Sequence, residues 1–140
     1  MKKVGILMGS DSDLPILQKA MDTLTALDIP YECHIYSAHR TPVEARDFAV
    51  NARANGFGAL ICAAGMAAHL AGAVAANTTL PVIGIPCKGG MMDGLDALLA
   101  AQIIAVSDPE LAAKLDAKRA SDAATVLAKD AALQEKLNNK

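Results

Sequence analysis

Short apolar runs alternate along this chain with segments whose apolar residues recur at helical spacing. Val4-Gly5-Ile6-Leu7-Met8 has the length of a strand, and from Leu14 to Leu27 the residues Leu17, Met21 and Leu24 repeat on one helical face. Tyr31 to Tyr36 reads as a second strand. Thr41-Pro42-Val43-Glu44 then offers an N-cap hydroxyl, a proline at the first helical position and a glutamate at the third, which predicts a helix start. Ala59 to Ala63 reads as a third strand, Ala67 to Asn77 as a helix of small residues, and Val82 to Ile85 as a fourth strand between two prolines. From Leu95 the pattern is helical to about Val106, and Ser107-Asp108-Pro109-Glu110 is a capping box that opens another helix through Leu111 and Leu115.

Strands that alternate with helices of this length are parallel, because each crossover returns the chain to the same edge. The expected architecture is α/β, a three-layer flavodoxin-like sandwich with a parallel sheet and a C-terminal helical tail. Residues 1–140 read as one domain, with the tail from about 107 to 140. From Asp116 to Lys140 the tail mixes charge with alanine and carries few large apolar residues, so alone it is a marginal helix. It is expected to pack on a neighbouring subunit or to fray.

In such a sheet the loops after the strands meet at one edge, where ligands bind because helices cover both faces. Four loops there carry capable residues: Gly9-Ser10-Asp11-Ser12-Asp13, Ser37-Ala38-His39-Arg40-Thr41, Gly65-Met66-Ala67-Ala68-His69 and Cys87-Lys88-Gly89-Gly90. In the first, Gly9 permits a close turn and the amides that follow can hold a phosphate, yet Asp11 and Asp13 repel an anion unless at least one turns away. The alternative is that Ser12 and Asp13 only cap the following helix. In the second, His39 titrates near neutral pH and can serve as acid and base, while Arg40 is a planar fork for phosphate or carboxylate. A lone loop histidine can equally be structural. The third loop offers bare backbone at Gly65 to a flat ligand, with His69 either an assistant or a packed first-turn residue. The fourth reads as a lid or an oligomer contact.

Composition narrows the partners. The 140 residues carry a formal net charge of −2 and only 3% aromatics with no tryptophan. A positive field and base-stacking platforms are thus both missing, and nucleic acid and membrane surfaces are not expected partners. No apolar stretch approaches the roughly 20 residues that span a bilayer, which predicts a soluble, cytoplasmic protein. The histidines His34, His39 and His69 lack ligand spacing, so no metal is expected. Cys33, Cys62 and Cys87 are odd in number and read as reduced thiols, and Cys87 could pair with His39 only if the two approach. Alanine-rich faces and a mean hydropathy of +0.28 point to a homo-oligomer.

With MGSDSD (Met8 to Asp13), SAHRTP (Ser37 to Pro42), AGMAAHLAG (Ala64 to Gly72), LPVIGIP (Leu80 to Pro86) and GLD (Gly94 to Asp96), the chain resembles the N5-carboxyaminoimidazole ribonucleotide mutases of purine biosynthesis. The resemblance implies an isomerase that moves a carboxylate from the exocyclic nitrogen to ring carbon C4 without cofactor, by decarboxylation and recarboxylation, with His39 as the proton carrier. It implies that Ser10, Ser12, Asp13, Ser37, Arg40, Gly65 and His69 bind the substrate, Asp13 at the ribose hydroxyls and Ser37 with Arg40 near the phosphate. It also implies a homo-octamer. Arginine in SAHRTP favours the mutases over the related direct carboxylases, which typically have lysine there. A receiver-type signalling module fits poorly, because Ala63-Ala64 stands where its phosphorylated aspartate belongs. The chain departs from the family in one place: the family's Q-M-P segment, a further strand and an N-A-A-N-A-like run are missing between Asp96 and the helix near Leu98. Direct carboxylation of aminoimidazole ribonucleotide is one alternative, and the shortening raises a non-catalytic nucleotide-binding module as another.

Overall fold

A computed structural model describes residues 2–65, 69–87, 106 and 109–139. Met66 to Ala68, the fourth loop from Lys88 to Gly94, the helix expected from Leu95 and the Ser107-Asp108 half of the capping box lie outside the described residues.

Four strands, β1 (Lys3–Met8), β2 (Tyr31–Ile35), β3 (Phe57–Ala64) and β4 (Val82–Pro86), form one parallel sheet in the order β2-β1-β3-β4. The central pair β1 and β3 is the most enclosed, and Ile6, Leu7, Met8, Leu60 and Ala63 are fully buried there. Such continuous runs are what a sheet covered on both faces requires. The helices are α1 (Leu14–Ala26), α2 (Pro42–Asn51), α3 (His69–Ala75) and α4 (Pro109–Asn138). One core layer joins Ile6, Met8, Leu17, Met21, Cys33 and Ile35 to Val126 and Leu133 of α4. The other joins Leu7, Leu60 and Cys62 to Ala45, Ala49, Leu70 and Val74. Gly5 permits the close approach of the second layer, since a Cβ there would lie 2.6 Å from Leu60 Cδ2 and 3.0 Å from two ring carbons of Phe48.

Three expectations are corrected. Strand β3 begins at Phe57, two residues early, because the turn is made by Gly56 at φ 86° and Gly58 is an ordinary strand residue. The Thr41 hydroxyl does not cap α2; it turns back and accepts the Ser37 amide at 2.7 Å. The tail does not fray, because α4 docks on this chain's own edge strand β2. Asp130 is the anchor, its Oδ1 accepting the Ile35 amide at 2.9 Å, and one turn later the Gln134 amide donates to the Cys33 carbonyl. The two side chains cover backbone groups that an edge strand otherwise leaves unpaired.

Candidate active site

Backbone hydrogen bonds lace together the loops at the carboxyl edge. The Gly9 amide donates to Ala63 O at 3.1 Å and the Cys87 amide to Ala64 O at 2.7 Å, so three strand ends are tied at one level. Across them, Arg40 Nη2 donates to Gly9 O at 2.7 Å and fixes the second loop against the first. His39 and His69 meet edge to face with ring centroids 5.2 Å apart, which joins the second loop to the start of α3.

The first loop is a single 3-10 turn, Asp11–Asp13, and its cap is reciprocal. Ser10 Oγ accepts the Ser12 amide at 3.3 Å, and Asp13 Oδ2 accepts the Ser10 amide at 3.2 Å. Capping is thus the work of Ser10 with Asp13, while Ser12 is exposed and touches Ser10 Oγ at 3.0 Å through its own hydroxyl. Nothing crowds Gly9, whose added Cβ would be 4.0 Å from its nearest neighbour; its carbonyl is what the site uses. The two acids diverge. Asp11 points outward and pairs with Lys129 Nζ of α4 at 2.9 Å, and that bond holds its carboxyl below the usual range. Asp13 is buried, and desolvation raises its carboxyl against the opposing pull of the Ser10 amide, the Cys87 thiol and Arg40.

The second loop is held from within. Ser37 is buried, and its Oγ accepts the amides of His39 at 3.4 Å and Arg40 at 3.2 Å. His39 and Arg40 are therefore presented outward on a turn whose own amides are satisfied. Desolvation lowers the His39 imidazole below its ordinary value, and the nearby charges of His69 and Arg40 add to the effect. Neutral imidazole is thereby the prevailing form at neutral pH, and its conjugate acid is a readier donor.

Gly65 is half-buried at the end of β3, and His69 is exposed at the first residue of α3. Cys87 stands by Asp13 rather than His39. Burial and the Asp13 charge push its thiol up, the opposite of an activated nucleophile. Cys33 and Cys62 are buried in strands with thiols pushed up to about 12. All three cysteines are free. Among the described residues no three His, Cys, Asp or Glu side chains are grouped to hold a metal ion. An open groove of about 700 Å³ lies at the opposite, amino end of β2, lined by Asp22, Tyr31, Glu32 and Gln134, and holds none of the loop residues.

Sequence reasoning missed Lys129. It sits in a tail of alternating charge and alanine, and no local signal separates it from the other lysines there.

These features define the class: a parallel α/β protein whose carboxyl edge brings together a histidine, an arginine braced on a neighbouring carbonyl and a buried acid. The chain belongs to the AIR carboxylase family, whose pattern matches residues 3–100. It is 42% identical over 157 aligned positions to the N5-carboxyaminoimidazole ribonucleotide mutase of Mycobacterium leprae, covering 94% of this chain and 92% of that one. The Pyrococcus horikoshii protein of the same name is 51% identical over 96 residues, covering 69% of this chain and 54% of its own length, so that match spans about half of the relative. The crystal structure of Treponema denticola PurE superposes with a TM-score of 0.57 at 27% identity, covering 93% of this chain and 97% of that one. The alignment of 157 positions exceeds the 140 residues of this chain, so the mycobacterial relative carries residues with no counterpart here.

Proposed function

We propose that this chain is an isomerase of purine biosynthesis, converting N5-carboxyaminoimidazole ribonucleotide to its 4-carboxy isomer by decarboxylation and recarboxylation. The observation that carries this reading is the pair His39 and Arg40, a proton-active imidazole beside a cation braced on Gly9, at the edge where the strands end. The net reaction exchanges a carboxylate on the exocyclic nitrogen for a hydrogen on C4. As the N–C bond breaks, the nitrogen takes a proton and carbon dioxide is released into the site. The C4 carbon then attacks the carbon dioxide, and the C4 proton leaves. His39 balances both ends: its protonated form, the minor one at neutral pH, gives a proton to the nitrogen, and the resulting neutral imidazole takes the C4 proton back.

Arg40 faces the phosphate, with Ser37 shaping the turn that delivers it. Ser10 and Ser12 line the same side, and the buried Asp13 accepts hydrogen bonds from the ribose hydroxyls. Gly65 and His69 border the base and keep carbon dioxide from escaping. The chain works in the cytoplasm as a homo-oligomer, an octamer by family resemblance. Exposed Val43 and Val50 on α2 and Ile83 on β4 support an assembly, since they leave apolar surface for neighbours to cover. Among the described residues no helix is long and apolar enough to cross a membrane.

His39→Asn tests the assignment. The near-isosteric amide cannot cycle a proton, so turnover is expected to vanish while aminoimidazole ribonucleotide still binds with wild-type affinity; full activity in that variant removes His39 from the mechanism.

A further inference from the structure

Helix α4 does more than cover an edge. Val126 and Leu133 are buried in the core, and between them Asp130 is bonded to the Ile35 amide and meets His34 Nδ1 at 3.4 Å. These contacts leave the helix no freedom to slide, because one residue of slip turns the anchoring face by about 100°. Lys129 directly precedes Asp130. The docking therefore delivers its ammonium to one place, the carboxylate of Asp11 in the first loop, 118 residues earlier in the chain and 2.9 Å away. Arg40 holds the same loop through Gly9 O. The turn from Gly9 to Asp13 is thus held by two cations carried by two different parts of the chain.

An uncompensated Asp11 would oppose the substrate phosphate that the proposed function places beside this loop. The pair is exposed, with 44% and 51% of the two side chains open to solvent, so it adds little to folding stability. Its consequence is local potential. We propose that Lys129 is a positioning and specificity residue for the site: by neutralising Asp11 it makes the first loop receptive to a phosphate monoester and so favours the phosphorylated substrate over its nucleoside. The inference rests on the function proposed above and adds a residue from the tail to it. It assigns Lys129 no contact with the reacting atoms; its influence on the substrate passes through Asp11.

The test is steady-state turnover of N5-carboxyaminoimidazole ribonucleotide by the full chain and by Lys129→Gln, Asp11→Asn and the double variant, at low and at high salt. Lys129→Gln is expected to raise KM about three- to fivefold at low salt with kcat unchanged, the range that one exposed unit charge commands, and to lose the effect at high salt. Adding Asp11→Asn is expected to restore KM, because no carboxylate then remains to be neutralised. Lys114→Gln is the control for net charge. It removes the same charge 15 residues away on α4, about 22 Å along the helix and paired with Glu110, and is expected to leave KM alone. Lys129→Arg is expected to rescue.

If the wild-type chain turns over and Lys129→Gln has wild-type KM, or if Asp11→Asn fails to restore it, the inference is overturned and the proposed function stands. If Lys114→Gln raises KM equally, the effect belongs to net charge and the inference is again overturned. Absence of turnover in the wild-type chain overturns the proposed function, and this inference with it.

Discussion

The turn that presents His39 and Arg40 depends on one buried hydroxyl. Thr41 is 1% exposed, and its Oγ1 accepts the Ser37 amide at 2.7 Å and lies 3.3 Å from the Ser37 carbonyl, to which it donates. Thr41→Val keeps the shape and removes both bonds. The carbonyl retains the Thr41 amide at 2.9 Å, so its loss is small. Among the described residues the Ser37 amide has no other hydrogen-bond partner, and it becomes a buried, unsatisfied donor, which costs about 1–3 kcal/mol. A midpoint near 2 kcal/mol corresponds to a fall in Tm of about 6–8 °C for a chain of this size. The assay is urea unfolding at one fixed protein concentration, with the midpoint expected to fall and the slope unchanged. Thr41→Ser keeps the hydroxyl and gives up one methyl, so its cost should stay near about 0.8 kcal/mol. If Thr41→Val is within about 0.5 kcal/mol of the wild type, or if Thr41→Ser is as unstable as Thr41→Val, the hydroxyl is not what holds the turn.

Two further predictions concern the scaffold. Gly5→Ala places a methyl 2.6 Å from Leu60 Cδ2 and is expected to destabilise by about 1–3 kcal/mol in the same unfolding assay; wild-type stability would show that the Leu60 and Phe48 side chains packed over Gly5 yield freely. For Asp130, burial alone would raise the carboxyl, but the hydrogen bonds from His34, Ile35 and Gln134 outweigh it and hold the pKa below 3.8. The unfolded state therefore binds the proton first as pH falls, so this carboxylate stabilises the fold above pH 3.8 and ceases to do so as pH drops through the lower folded value. Asp130→Asn is expected to be less stable than the wild type at pH 7, with a deficit that shrinks below pH 3.8; a deficit constant with pH would contradict the account.

The parallel sheet was legible because its strands are apolar runs broken by turn residues, and β1, α1 and β2 fall within a residue or so of the periodicity that predicts them. Gly58 concealed the start of β3, because glycine reads as punctuation until its neighbour Gly56 is seen to make the turn. Division of the first loop's acids was expected only if the loop holds an anion, since two carboxylates cannot both face one. Which one turns away did not follow: it depends on Lys129, which tertiary packing brings from the far end of the chain. The docking of α4 was hidden for a related reason. Its inward stripe, Val126, Asp130, Leu133 and Leu137, has helical spacing but carries a carboxylate at its centre. Sequence reading counts that as solvent-facing until the Ile35 amide is found beneath it. Thr41 shows the limit of motif reading, as a hydroxyl ahead of Pro42 and Glu44 has the form of a cap and serves the loop before it instead.

The most direct measurement is whether this 140-residue chain converts N5-carboxyaminoimidazole ribonucleotide to the 4-carboxy isomer with no ATP, metal or added bicarbonate. The account predicts turnover, lost in His39→Asn. A folded protein that binds the ribonucleotide and never isomerises it would contradict the account, and would make the chain a binding module of the same family.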